Sequence, residues 1–172
     1  TEAAHKGGEL SRWHCINSHQ QFVVGDLQVQ PFPVPHDARE PCQFVFSDGK
    51  RRLGLLTDVG SITPHVVDAL DGLDALVLEC NHDPSMLAAG PYPPSLKQRV
   101  GGPYGHLSNQ QAAELLEKIN TSSLQHLVAA HISEKNNLPQ LAFDCLTAAV
   151  ANNMGAIIVA NQPDGMPWLG ID

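Results

Sequence analysis

Apolar and polar positions divide the chain into a strand-rich first half and a second half in which strands and helices take turns. Residues 21–33 alternate apolar and polar side chains about the turn pair Gly25-Asp26, which predicts a hairpin. Two further apolar runs, 42–46 and 53–57, are joined through Ser47-Asp48-Gly49, whose Asp-Gly step favours a tight turn. Thr63 as cap and Pro64 at the first helical position predict a helix to about Leu70. Residues 75–78 are a continuous apolar run of strand length. Ser108 and Gln111 have capping-box spacing, and Ala112, Leu115, Leu116 and Ile119 form one stripe, so 108–119 is the clearest helix. A strand at 127–130, a helix over 138–151, a closing strand at 156–160 and an edge strand at 168–171 complete the reading. Residues 2–20 read as a short helix and a loop. Together these predict an α/β fold in which helices cover a mixed sheet.

The 172 residues, 42% apolar and 16% charged, fit one globular domain spanning 1–172 with a real core. No apolar run approaches the roughly 18 residues of a membrane helix, and the opening residues show no signal-peptide pattern; a soluble, cytoplasmic protein is expected. Cys15, Cys42, Cys80 and Cys145 form no Cys-x-x-Cys pair and read as reduced thiols. The net charge of −8, from 18 acids and 10 bases, argues against broad nonspecific nucleic-acid binding. A local basic patch remains open. Lys97 and Arg99 flank the chemistry-bearing segment, whereas Lys50, Arg51 and Arg52 read as a solvated hairpin tip.

Candidate chemistry collects where apolar runs end. Strand exits are where α/β proteins place reactive side chains, because the sheet holds the backbone while the side chains face a cleft. Asp58 ends the run 53–57, and His131 ends the run 127–130 in the same manner. His36 follows Val34-Pro35, and the three together make an N/O donor set suited to zinc or manganese. Glu79, Asn81, His82 and Asp83 crowd polar groups just past a buried strand, and His82 is the candidate general acid. Residues 101–109 form a glycine-rich loop running into a capped helix, a candidate cradle for phosphate or carboxylate.

These patches resemble those of the metallo-β-lactamase-fold hydrolases. Thr57-Asp58-Val59-Gly60-Ser61-Ile62-Thr63 resembles the bridging-aspartate segment, Ala130-His131-Ile132-Ser133 the final metal histidine, and Val34-Pro35-His36-Asp37 the middle one. Residues 78–83 with 105–112 are similar to the bacterial single-domain branch related to tRNA-processing and RNA-degrading phosphodiesterases, whose members include a DNA exonuclease. The resemblance runs from about Gln21 to Asp172. It implies a four-layer αββα sandwich and two divalent metals bridged by a hydroxide that attacks the phosphodiester. By the same resemblance His36 and His131 each hold one metal and Asp58 bridges both and is catalytic. His82, Asn81 and His106 face the scissile phosphate, and the amides of Ser108 and Asn109 help to hold it.

The family's His-x-His-x-Asp-His segment has no counterpart, since His5, His14 and His19 do not fit its spacing. With Thr1 in first place, the chain reads as the C-terminal portion of a longer protein, with an incomplete metal site, little activity alone, and core surface that favours a homodimer. Three functions are carried forward. The first is a metal-dependent phosphodiesterase or nuclease acting on nucleic acid. The second keeps the fold but hydrolyses thioesters or lactams, and the third is a non-catalytic binding remnant.

Overall fold

The computed structural model describes residues 14–150, 155–163 and 165–172. The helix expected near the start falls largely on residues 1–13, outside the described ones; 14–20 are loop and turn. Seven strands form one sheet in sequence order: β1 Phe22–Val24, β2 Leu27–Pro33, β3 Cys42–Ser47, β4 Arg52–Leu56, β5 Ala75–Glu79, β6 His126–Ala130 and β7 Ala156–Val159. The first four are antiparallel and joined by short connections, and β4 to β7 run parallel with helical crossovers, so the sheet is mixed.

Helix α1 Pro64–Leu70 starts as its sequence predicts, with the Thr63 hydroxyl accepting from the Val66 amide. Helix α4 Asn109–Leu116 carries the full capping box between Ser108 and Gln111. Helix α5 Pro139–Ala149 ends just short of the predicted limit, and residue 151 lies outside the described ones. Two helices were not expected. Helix α2 Pro84–Ala89 is capped by Asp83, whose Oδ1 accepts from the Met86 amide at 2.9 Å, and α3 Pro94–Val100 contains no buried residue. Both are short and lie on the surface, so neither leaves an apolar period in the sequence.

Two strand expectations change. The β3–β4 pairing closes at Ser47 opposite Arg52, so the connection has four residues rather than a tight turn; Asp48 Oδ1 accepts from the amides of both Lys50 and Arg51 and shapes it. The segment 168–171 is irregular, with Trp168 fully exposed. It is tied instead to the start of β6, where His126 Nε2 contacts the Gly170 carbonyl and Gln125 bonds the Asp172 backbone twice.

The sheet has two unlike faces. On one, Phe32, Val45, Leu56, Leu76, Leu78, Leu127 and Ala129 pack against Val66 and Leu70 of α1, Ala112 and Leu115 of α4, and Ala142 and Leu146 of α5. On the other, the cross-strand ladder Phe44, Leu55, Val77, Val128 and Ile158 is apolar, and all but Val128 are partly exposed. The parallel register brings the exits of β4, β5 and β6 side by side, because Leu56 pairs with Leu78 and Glu79 with Ala130. Whatever follows those three strands shares one rim.

Candidate metal centre

Asp58 lies two residues past β4 and His131 one residue past β6, and both have left-handed backbone, φ 51° and 54°. They are the only non-glycine residues at positive φ among the described ones. Asp and His tolerate that region better than bulky or β-branched residues, yet each pays roughly 1–3 kcal/mol of strain there. The reversal bends both side chains back over the sheet rim. Asp58 Oδ1 then sits 3.7 Å from His36 Nε2, 3.8 Å from His106 Nδ1 and 3.8 Å from His131 Nδ1. Such distances exceed a hydrogen bond. The one to His36 Nε2 approaches the spacing of two donors that each reach about 2 Å to a shared ion, and the Nδ1 distances place the other two rings beside the same oxygen.

Glu79, the last residue of β5, organises the cluster from beneath. It is fully buried, and its carboxylate accepts four hydrogen bonds. Oε1 takes His106 Nδ1 at 2.8 Å and His131 Nδ1 at 2.5 Å; Oε2 takes the amides of Val59 and Leu107, each at 3.1 Å. Burial raises its pKa, but the two imidazole hydrogen bonds outweigh burial and hold it at about 2. The same bond, opposed by burial, raises the pKa of His131.

An ionised carboxylate only accepts, so His106 and His131 must present Nδ1–H to it, leaving Nε2 as the open nitrogen. His36 is held likewise, with Nδ1 donating to the Gly105 carbonyl at 2.9 Å. Three imidazoles therefore share one tautomer, fixed by acceptors behind them, which is how outer partners orient metal-binding histidines. Asp58, Glu79, His106 and His131 each offer a ligating atom within 4.8 Å of the others. Glu79's oxygens are already occupied, so its role here is to orient, and Asp58 with His36 and His131 is left as a donor set for a cation, with His106 beside it. The fit to a divalent ion of borderline hardness is good.

The expected trio of His36, Asp58 and His131 does converge. Sequence reasoning missed two things: that Glu79 bonds two of the histidines, and that His106 stands inside the donor group. A glutamate ending a continuous buried run was the signal for the first. The expected phosphate cradle needs correction. The Ser108 amide donates to the Gln111 side chain at 2.9 Å and the Asn109 amide to the His82 carbonyl at 3.0 Å, so neither is free for an anion. The glycine-rich loop is instead a close-packing device. A Cβ on Gly60 would collide with the Pro103 carbonyl and Gly105 amide, and these glycines let the loop press against the Asp58 turn.

His82 is 3% exposed, its Nδ1 has no hydrogen-bond partner, and burial lowers its pKa. It does not line the cavity that opens on His106 and His131. Asn81 does, and its Nδ2 donates to the His131 carbonyl at 3.1 Å. Asn109 is buried and exchanges two bonds with Asn137. At the rim Arg99 pairs with Asp37 at 2.5 Å and holds its carboxyl below the usual range, while Asp37 Oδ1 lies 3.5 Å from His36 Nε2. Among the described residues no helix is long and apolar enough to cross a membrane.

Residues 2–132 match the family model of the β-lactamase superfamily domain. The chain is 39% identical over 120 residues to the exodeoxyribonuclease YycJ of Bacillus anthracis, covering 70% of this chain and 46% of that protein. It is 31% identical over 134 residues to the exodeoxyribonuclease WalJ of Streptococcus pneumoniae, covering 78% and 50%. The chain thus spans about half the length of the curated relatives it matches. Among solved structures, the metallo-β-lactamase-fold protein YhfI of Bacillus subtilis superposes with TM-score 0.65 at 14% identity, over 90% of this chain and 54% of the other. The zinc-bound PqqB of Methylobacterium extorquens gives 0.57 at 20%, over 88% and 53%. Matched along most of its length and built on the same sheet, the chain belongs to the β-lactamase superfamily and has the metallo-β-lactamase fold.

Proposed function

We propose that this chain carries the aspartate- and histidine-bearing rim of a metal-dependent phosphodiesterase acting on DNA, an exonuclease. The observation that carries the reading is the convergence of Asp58, His36, His106 and His131 on one rim, with Asp58 Oδ1 3.7 Å from His36 Nε2 and the other two imidazoles anchored through Nδ1 on Glu79. The names of the relatives support the choice of DNA as substrate. His36, Asp58 and His131 hold divalent metal, zinc or manganese, in a site that takes two ions when complete. Bound there, such ions lower the pKa of a water and polarise a phosphoryl oxygen.

The chain's own residues do the rest. Asp58 spans the cluster as the shared carboxylate. His106 takes the general-acid role that sequence reasoning gave to His82, because its Nδ1 is anchored on Glu79 and its Nε2 is open to a leaving oxygen. Glu79 fixes that tautomer and the ring's orientation, as a buried carboxylate does behind a catalytic histidine. Asn81 borders the same cavity with its carbonyl oxygen and one N–H still available.

The test uses the intact protein that contains this chain. It should hydrolyse bis-p-nitrophenyl phosphate but not a thioester, lose turnover to a chelator and regain it with zinc or manganese. Asp58→Ala should lower kcat/KM by about 100-fold or more, since even outer partners of metal ligands cost roughly 10–100-fold. Thioester turnover without phosphodiester turnover would favour the acyl-hydrolase reading. Retained DNA binding with no turnover in either protein would favour a binding remnant.

A further inference from the structure

A cavity of about 290 Å³ opens on the side of His106 and His131 away from His36. Its size lies near the lower end of the roughly 300–1,000 Å³ typical of small-ligand sites. Tyr92, from the loop between α2 and α3, and Ile132 give it a flat, apolar flank. Asn81, Asn136 and Gln162 give it three carboxamides, and Glu134 supplies a carboxylate, whereas among the described residues no lysine or arginine lines it. Asn136 is fully buried and its Oδ1 has no hydrogen-bond partner. Gly90 makes room for that amide, since a Cβ there would lie 2.6 Å from Oδ1.

We propose that this cavity is a nucleobase subsite, holding the base next to the scissile phosphodiester against Tyr92. The inference rests on the phosphodiesterase reading and adds the part of the substrate that the site recognises. A phosphodiester placed at Asp58, His106 and His131 must send one ester arm past the two histidines, and these histidines are also cavity wall. The charge of the lining decides which part of that arm enters. Beyond the two histidines its lining has a carboxylate and, among the described residues, no lysine or arginine, which suits a neutral group better than a second phosphate. Two carboxamides beside an aromatic ring, Asn81 and Gln162, suit a flat heterocycle with in-plane donors and acceptors, because each offers both kinds of group to any base, while the buried Asn136 packs behind them against Gly90 and Ser133. Stacking on one aromatic ring is tolerant of base identity, because every base has a π-face. Lys135 Nζ stands over the Tyr92 ring, 5.9 Å from its centroid, so a cation covers one face of the ring and a base would take the other.

The experiment compares two esters on the intact, metal-loaded protein: the p-nitrophenyl ester of thymidine 5′-monophosphate and bis-p-nitrophenyl phosphate, which has no base. The native protein should prefer the nucleotide ester in kcat/KM. Tyr92→Ala should cut that preference roughly tenfold, the scale of a lost base–aromatic stack, and Tyr92→Phe should keep it. A second readout needs no turnover: thymidine monophosphate should bind more tightly than deoxyribose 5-phosphate, and Tyr92→Ala should erase the difference. If bis-p-nitrophenyl phosphate is turned over but the base confers no preference, or Tyr92→Ala lowers both esters equally, the subsite is wrong while the phosphodiesterase stands. If neither ester is turned over, the phosphodiesterase reading falls and the subsite with it.

Discussion

Glu79 is the residue whose chemistry decides most about this site. A carboxylate with no exposure survives in the ionised form only if its lone pairs are met, and here two amides and two imidazoles meet them. Glu79→Gln keeps the shape but replaces one acceptor oxygen by an NH2, which then faces either the two amides or the two Nδ1–H groups. The unfolding free energy should fall by about 3 kcal/mol or more, since two buried donors lose their acceptor at roughly 1.5–3 kcal/mol each. Zinc affinity in the intact protein should fall by roughly 10–100-fold as the histidine tautomers are released. Denaturant titration and competition with a chromophoric chelator read the two effects separately. Unchanged zinc affinity would show that Glu79 is packing and does not orient the histidines.

Elements carry the site by bringing loops into close contact, and two glycines separate that function from plain packing. A Cβ on Gly54 would meet side-chain carbons of Leu73 and Leu70, which can give way inside the core. A Cβ on Gly60 would meet backbone of the loop that positions His106, which cannot move without moving the histidine. Both Gly54→Ala and Gly60→Ala should cost about 1–3 kcal/mol of stability as overpacking. Only Gly60→Ala should also lower kcat of the intact protein at temperatures where both variants are folded. At this scale the sequence was legible wherever the signal is local. Thr63-Pro64 and the Ser108–Gln111 box mark helix starts through bonds that span three residues, and both starts were read correctly. Helix α3 buries nothing and left no stripe to read. Choosing between His82, just past β5, and His106, at the end of the glycine-rich loop, was beyond local pattern: the bond from His106 to Glu79, 27 residues away in the chain, tells them apart.

Among the described residues, one face of the sheet is covered by helices and the other is not. The uncovered face is apolar at its centre, where Phe44, Leu55 and Val77 are partly exposed. Toward one end Leu169 and Ile171 of the C-terminal segment border a cavity with Phe46 and Leu53, so that segment shields the end of the face and leaves the centre open. The net charge of −8 opposes association of copies, but that repulsion is spread over the molecule and screened within about 10 Å at ordinary salt. Contiguous apolar surface acts locally and should win. A polypeptide of these 172 residues alone should therefore run above its 18.5 kDa monomer mass by light scattering at micromolar concentration. Leu55→Glu puts a charge at the middle of the ladder and should return it toward monomer while the circular dichroism stays native. A monomeric native polypeptide that binds no apolar dye would mean that the ladder is covered in solution by the chain's own residues.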